Sequence, residues 1–395
     1  MSTRKQQIDE ALTRGVENIY PNKEALAKIL NSSKKLTIYN GIDPTGRLQI
    51  GHSVVLNKLR QFQDLGHKII LLIGDFTAQI GDPTDKAAVR KPLTKKEVLA
   101  NCKDYQKQIA KILDLKKTEF KFNSTWLAKM NFAKILELAS EFTVQNLLER
   151  DMFNARLKDG KPIHLHEFLY PIMQGYDCVV MDVDMEIGGN DQTFNMLAGR
   201  TLMRKLKQKE KLVLTLQLLA DPSGKKMGKT EGNAVFLDEP ANEMYGKIMS
   251  WSDGMVVPAF ELATRGSLEE VTQVKKDLAA GKNPKILKML LAYKIVEMYH
   301  GTAEAIKAEE SFKQVFESKQ NPDEIPVFKT KARNIVEVLI TTNLAASKSE
   351  AKRLLAQGGV KVDGQKIEDE NYVISSVGPE GLVIQKGKRY FAKII

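Results

Sequence analysis

Two short clusters combine residue types that do phosphate chemistry. The first runs Tyr39-Asn40-Gly41-Ile42-Asp43-Pro44-Thr45-Gly46-Arg47-Leu48-Gln49-Ile50-Gly51-His52. It ends a β-prone run at 36–40 and leads directly into a helical pattern with Val55, Leu56, Leu59 and Phe62 on its apolar side. In an open α/β sheet, ligands gather outside the carboxyl ends of the strands. The helix that follows offers unpaired N–H groups and the positive end of its dipole to phosphate. Gly51 lets a nucleotide approach the backbone, and His52 can donate to a ribose or phosphate oxygen. The second cluster is Asp221-Pro222-Ser223-Gly224-Lys225-Lys226-Met227-Gly228-Lys229-Thr230. Lys226, Lys229 and Thr230 would set two ammonium groups and a hydroxyl on a polyphosphate. That suits a reaction that expels pyrophosphate, because positioned cations stabilise charge building on the leaving group. Alone, either cluster reads as a structural histidine or a solvated basic turn; their co-occurrence favours nucleotide chemistry.

A third set lies between them. Tyr170, Gln174 and Asp177 fall at i, i+4 and i+7, on one face of a helix. Such a face normally belongs to a core, where an unpaired Asp and Gln would be costly. A polar substrate resolves that cost.

The elements that must hold these groups alternate. Strand-like runs at 36–40, 68–74, 119–122 and 212–216 are interspersed with helical patterns at 53–65, 98–113, 133–150, 164–181 and 191–206. The alternation predicts an α/β fold, a Rossmann-like parallel sheet with helices on both faces. The predicted boundaries are a catalytic domain at 1–237, with a connecting insertion at about 125–165, then a helical domain at 238–320. A linker at 321–332 and a small α+β domain at 333–395 follow.

The chain has 395 residues, enough for two or three domains, and 43% of them are hydrophobic, so a disordered or collagen-like protein is excluded. Cys102 and Cys178 are far apart and flanked by no metal-ligand pattern, which argues against a disulfide scaffold or a cysteine-rich zinc site and for a reducing compartment. No run approaches 18 continuous apolar residues, and the N-terminus has no apolar signal core, so a cytoplasmic protein without membrane contact is expected. The net charge of +11 points to polyanionic partners. Positions 329–395 carry twelve Lys and Arg against seven Asp and Glu, so nearly half of that excess sits in the last 67 residues.

The two phosphate clusters together resemble the signature of class I aminoacyl-tRNA synthetases. Gln49-Ile50-Gly51-His52 resembles that family's His-Ile-Gly-His motif, and Lys226 to Thr230 resembles its Lys-Met-Ser-Lys-Ser motif, in the family's order. Three further stretches resemble the bacterial tyrosyl branch: Tyr39 to Thr45, Ile80-Gly81-Asp82-Pro83, and Tyr170 to Asp177 followed by Ile187-Gly188-Gly189-Asn190-Asp191-Gln192. The resemblance extends from about residue 36 to the C-terminus.

It implies roles residue by residue. Tyr39 and Asp177 would hydrogen-bond a substrate phenol; Tyr170, Gln174 and Asp82 would hold its ammonium; Gln192 would sit near its carboxylate. Gly41, Asp43, Gly51, His52, Gly189, Asp191, Lys226 and Lys229 would meet ATP, with Asn40 reaching a ribose hydroxyl. Thr45, Gln49, His52, Lys86, Arg90, Lys226, Lys229 and Thr230 would serve the phosphates. ATP is implied as a substrate carrying Mg²⁺, with no protein-bound metal. The partners implied are L-tyrosine, ATP, tRNA(Tyr) and a second copy of the chain, paired through 125–165. Three positions depart from the family pattern: Gln49 for histidine, Gly228 for serine, and Glu186 where glutamine is common.

The tail stretch Ser347 to Gly364 resembles the S4 RNA-binding motif: a basic helix, a glycine turn and a strand with an Asp-Gly hairpin. Leu354 and Leu355 would pack inward while Lys348, Lys352 and Arg353 face RNA. Rival readings are a tryptophanyl-type enzyme, an inactive synthetase-like RNA-binding scaffold, and a nucleotidyltransferase. Tyr39 and Asp177 count against the first, the intact charged clusters against the second, and the lysine cluster and tail against the third.

Overall fold

The structure is a computed structural model that describes residues 3–44, 46–79, 94–221, 224, 234–316, 325–378, 381–387 and 390–395. It comprises two compact units. One holds Met1–Glu239 and Trp251–Leu291; the other holds Pro240–Ser250 and Ala292–Ile395.

The first unit is built on a six-stranded sheet. Its strands are β1 (Val16–Tyr20), β2 (Thr37–Ile42), β3 (Lys68–Ile73), β4 (Thr118–Phe122), β5 (Met185–Gly189) and β6 (Leu212–Leu216), in the order β1-β6-β5-β2-β3-β4. β2 to β6 run parallel. β3 is almost wholly apolar, and all but its first residue are buried, as a strand covered on both faces requires. The strand order reverses at β2, which lies between β5 and β3, so the ligand crevice of this topology opens at the carboxyl end of β2.

The sheet corrects the expectation of a purely parallel one. β1 pairs antiparallel with β6. Val16 and Ile19 follow Leu12 at helical spacing. The Arg4–Ala11 helix stops instead, and Gly15, with φ +61°, takes a left-handed conformation just before the strand. The helix expected at 133–150 is also broken. Phe132–Ala139 and Val144–Leu148 are separate helices, the second started by Thr143, whose side chain accepts from Asn146 N–H. A side-chain cap inside an unbroken apolar pattern ends one helix and begins the next. The helix expected from 191 starts at Thr193, after a 3₁₀ turn over Asn190–Gln192.

The Leu165–Met181 and Thr193–Lys207 helices flank β5 in sequence and pack against each other. Their close approach depends on small residues: a Cβ on Gly175 would lie 3.1 Å from Gly199 N and 3.2 Å from Ala198 C.

The second unit contains the Ala241–Met249 and Thr302–Phe316 helices, joined by the Tyr245 and Phe312 rings at 5.4 Å. It also contains a five-stranded sheet of β7 (Val327–Phe328), β8 (Val360–Val362), β9 (Gln365–Ile367), β10 (Leu382–Lys386) and β11 (Tyr390–Ile394), in the order β7-β11-β10-β8-β9. Ile335, Leu339, Leu355, Val360, Ile384 and Ile394 form part of a core of its own around this sheet. β8 and β9 join through Asp363 and Gly364, both at positive φ (44° and 82°), the geometry an Asp-Gly hairpin turn requires.

Candidate active site

β2 delivers the first cluster. Tyr39 is completely buried; Asn40 turns its amide sideways, Nδ2 donating to Ile187 O at 2.8 Å. That bond ties β2 to β5 and fixes the Asn40 side chain. Gly41 is exposed where β2 ends. Asp43 receives two hydroxyls: Thr77 Oγ1 donates to Oδ1 and Tyr170 Oη to Oδ2, each at 2.9 Å. Tyr170 thus connects the pocket helix to the cluster from β2.

The Ile50–Asp64 helix begins directly after Gln49. His52 Nδ1 accepts from Gln49 N–H at 3.0 Å. A neutral ring held this way carries its proton on Nε2, so that nitrogen is a donor. Gly51 lies in the same first turn.

The lysine cluster lies mostly outside the described residues, as do Thr45, Asp82, Lys86 and Arg90; of the cluster, Lys226, Lys229 and Thr230 are among those not described. The chain that follows it is well placed. Ile50 N–H donates to Val235 O at 2.9 Å and Leu237 N–H to Leu48 O at 3.0 Å, zipping 235–237 antiparallel to 48–50. Arg47 adds a two-point contact with Asp238, at 2.6 and 2.8 Å to Oδ1, and stacks 4.3 Å over the Phe236 ring. The two phosphate clusters, about 175 residues apart, are therefore tied at their flanks by backbone pairing.

The pocket helix turns Tyr170 and Asp177 inward, and both are buried. Trp126 Nε1–H donates to Asp177 Oδ1 at 2.7 Å, and Asn123 Nδ2–H to Oδ2 at 3.3 Å. Burial pushes the Asp177 carboxyl well above the usual range, while these two donors pull the other way. The Tyr39 hydroxyl closes no well-formed hydrogen bond; burial, then the Glu186 carboxylate, raises its pKa well above that of a free phenol. Cys178, the next residue along the helix, is pushed up to about 12 by burial and is an inert thiol.

Gln174 Nε2 donates to Glu186 Oε1 at 3.2 Å, and Glu186 Oε2 takes the Lys211 ammonium. Burial opposes the charge on Lys211, but the neighbouring Cys178 and Glu186 more than compensate, and its pKa lies above the usual lysine range. Lys211 also stands 5.6 Å over the Tyr39 ring. At the end of β5, Gly189 leads into Asp191 and Gln192, and Asn195 Nδ2 donates to Gln192 Oε1 at 2.9 Å. That bond turns the donor end of the Gln192 amide away from Asn195, the end suited to a carboxylate.

The structure thus brings together Tyr39, Asp43, Gln49, Gly51, His52, Tyr170, Gln174, Asp177, Gly189, Asp191 and Gln192 around the ends of β2 and β5. Sequence reasoning missed Asn123, Trp126 and Lys211 as members of the site. Trp126 falls in the 125–165 stretch expected to pair with a second copy, and nothing local distinguished Lys211 from the other lysines of 205–211.

In the second unit, Lys348, Lys352 and Arg353 are exposed on the Lys348–Ala356 helix, Leu355 is buried and Leu354 is half-buried against the same core. Lys352 makes a surface ion pair with Glu370 at 3.1 Å.

Comparison with known proteins adds the class. A family model described as tRNA synthetases class I (W and Y) matches residues 31–317, and one described as the tyrosine–tRNA ligase SYY-like C-terminal domain matches 317–394. The tyrosine–tRNA ligase of Francisella tularensis is 46% identical over 98% of each chain. Tyrosine–tRNA ligase 2 of Clostridium acetobutylicum is 43% identical over 98% of this chain and 99% of that protein. Among solved structures, the C-terminally truncated mitochondrial tyrosyl-tRNA synthetase of Aspergillus nidulans has a similar fold. Its TM-score is 0.67 at 21% identity, over 79% of this chain and 94% of that one. A parallel sheet with its switch point at β2, in a chain matched by this family model, defines a class I aminoacyl-tRNA synthetase fold. Within that class, the chain belongs to the tyrosine–tRNA ligase family.

Proposed function

We propose that this protein activates L-tyrosine with ATP to tyrosyl-adenylate and pyrophosphate, then transfers tyrosine to the 3′ end of tRNA(Tyr). The observation that carries the reading is the cluster of buried Tyr39, Tyr170 and Asp177 with half-buried Gln174, in a chain of this family whose Gln49–His52 stretch opens a helix after β2. Tyr39 and Asp177 address the phenol. Tyr170, Gln174 and Asp82 address the ammonium, and Gln192 the carboxylate. His52, Gly51, Gly189 and Asp191 address ATP. Thr45, Gln49, Lys86, Arg90, Lys226, Lys229 and Thr230 act on the phosphates.

The first step needs no general base, because the tyrosine carboxylate is already ionised. Its oxygen attacks the α-phosphorus; the bond to the β-phosphate oxygen breaks; and pyrophosphate leaves with its Mg²⁺. Catalysis is positioning plus charge stabilisation. In the second step a terminal ribose hydroxyl attacks the carbonyl carbon, AMP departs and the hydroxyl proton is lost. Selectivity over phenylalanine follows from the phenol: without it, buried acceptors and donors lose their partner. The relatives' names favour tyrosine over the tryptophanyl reading, although the family model spans both.

The supporting case for RNA is the basic exposed face of the Lys348–Ala356 helix, in a part of the second unit with its own apolar core. The supporting case for a homodimer is a set of large apolar side chains left exposed in the insertion: Phe132 at 73%, Leu165 at 79%, with Leu136, Val144 and Leu157. Among the described residues no helix is long and apolar enough to cross a membrane, and we read the protein as a cytoplasmic enzyme.

Amino-acid-dependent exchange of pyrophosphate into ATP tests the activity. Exchange with tyrosine, and not with tryptophan or without amino acid, is expected. Lys229→Ala should slow adenylate formation by a large factor while tyrosine still binds; an unchanged exchange rate refutes that role.

A further inference from the structure

The pocket contains an ion pair that adenylate chemistry does not call for. Glu186 lies in β5 and is 2% exposed; Lys211 immediately precedes β6 and is fully buried. The Lys211 ammonium donates to Glu186 Oε2 and, at 3.1 Å, to Met196 O. Its seat is shaped for it: a Cβ on Gly199 would lie 2.7 Å from Lys211 Nζ and 2.9 Å from Cys178 Sγ. A buried ion pair is weak evidence for stability, since desolvating both charges consumes most of their attraction. Its second feature is more specific. The other oxygen of Glu186 takes Gln174 Nε2 at 3.2 Å.

We propose that the Glu186–Lys211 pair is a positioning device that fixes which end of the Gln174 amide faces the substrate, presenting its carbonyl oxygen to the α-ammonium of tyrosine. The two ends of a glutamine amide have nearly the same shape, and only their hydrogen-bond partners tell them apart. A carboxylate accepts and does not donate, so it selects the NH₂ end of Gln174 and turns Oε1 the other way. An ammonium donates and does not accept, so Oε1 is the end that suits it. Lys211 completes the logic by answering the charge on Glu186 from the far side. A glutamine at 186 has both a donor and an acceptor and selects neither end. Some molecules would then aim the NH₂ group of Gln174 at the ammonium, a donor against a donor. The glutamate at this position is thus a selector, and Lys211, just before β6, holds its other oxygen.

The inference rests on the reading that Gln174 meets the substrate ammonium, and the test separates the two. The full-length protein is assayed by pyrophosphate exchange for KM and kcat with tyrosine, and by inhibition with 3-(4-hydroxyphenyl)propanoate, which keeps the phenol and carboxylate and lacks the ammonium. The main variant is the double substitution Glu186→Gln with Lys211→Met, which leaves no unanswered buried charge; thermal unfolding checks that it folds. Its KM for tyrosine should rise about two- to threefold, because only about half of the molecules then present the acceptor end of Gln174; Gln174→Ala, which removes the hydrogen bond itself, should raise it roughly tenfold. Its kcat and the inhibition constant of the analogue should stay unchanged within error, because no hydrogen bond to the analogue depends on which way the Gln174 amide faces. Gln174→Ala should move the tyrosine-to-analogue ratio in the same direction. If Gln174→Ala moves that ratio and the double variant does not, the positioning role is overturned while the site assignment stands. If tyrosine and analogue weaken equally in the double variant, the pair is merely structural and the proposal fails. If Gln174→Ala leaves the ratio unchanged, the assignment of Gln174 fails, and the inference with it.

Discussion

Trp126 Nε1 lies 2.7 Å from Asp177 Oδ1, and that contact ties the indole to the helix that carries Tyr170 and Gln174. Asp177 is 2% exposed, and burial alone favours its neutral form. The indole and Asn123 each donate to one of its oxygens, which supports the carboxylate as an acceptor for a phenol. Trp126→Phe removes one donor and keeps an aromatic ring in place. KM for tyrosine should rise about tenfold, and selectivity for tyrosine over phenylalanine should fall by a similar factor, since a hydrogen bond to a charged group is worth about 1.5–3 kcal/mol. Pyrophosphate exchange with both amino acids reads this out. Equal loss for tyrosine and phenylalanine would mean that Trp126 only packs.

A second prediction concerns Gly74, at the end of β3. A Cβ there would collide with Asp43 Oδ1, and it would lie 2.5 Å from Thr77 Oγ1. Asp43 is held by Thr77 and Tyr170, so Gly74→Ala must displace a carboxylate whose two hydroxyl partners come from different elements. Exchange activity should fall by tenfold or more while unfolding temperature drops by only a few degrees, the usual scale for ~1 kcal/mol. Wild-type kinetics in Gly74→Ala would show that Asp43 can relocate without consequence.

The sequence could be read where partners are local and not where they are distant. Tyr170, Gln174 and Asp177 share a helix face, and Gln49 to His52 share one turn, so spacing alone aligned them. Trp126 reaches Asp177 across 51 positions, from a four-residue helix after β4. Lys211 sits in a run with Lys205, Lys207 and Lys209, where it looks solvated; only the pairing of β5 with β6 turns it inward. β1 was unreadable for a related reason. Its apolar residues continue the preceding helical pattern, and Gly15 breaks that pattern through a backbone angle. The strands β2, β3, β4 and β6 and the second unit's hairpin turn were legible because apolar runs and Asp-Gly carry their geometry locally; β5 was not, because Met185–Gly189 carries Glu186 and two glycines in place of an apolar run.

The exposed basic helix of the second unit makes a prediction about salt. Lys348→Glu with Arg353→Glu reverses two exposed charges and leaves Ala351 and Leu355 buried as before. Tyrosine-dependent exchange should be unchanged. KM for tRNA(Tyr) should rise, and the slope of log affinity against log salt should shrink by about one for each phosphate that is no longer neutralised. Charging with an unaltered salt dependence would remove this helix from the RNA-binding face. Deleting 333–395 should likewise spare adenylate formation and weaken charging, because that segment has its own apolar core.

Lys58 supplies a pH test away from the pocket. It is 4% exposed in the Ile50–Asp64 helix, and its ammonium donates to Ala11 O at 3.0 Å. Burial lowers its pKa to about 7 and Arg14 adds to the fall, while Glu10 and Glu261 pull back only in part. In the unfolded chain a lysine titrates near ~10.4. Between those two values the unfolded state binds more protons than the folded one, so this group makes stability rise with pH, by up to about 1.4 kcal/mol per unit. Below pH 7 both states hold the proton and the slope vanishes. Lys58→Met removes this contribution and keeps an unbranched side chain in the same volume. Denaturant unfolding of both proteins at pH 7, 8 and 9 isolates it, because every other titrating group is common to the pair. The variant's advantage over the wild type should be largest at pH 7 and diminish steadily to pH 9. Parallel stability curves would mean that Lys58 carries its proton in the folded state as readily as in the unfolded chain.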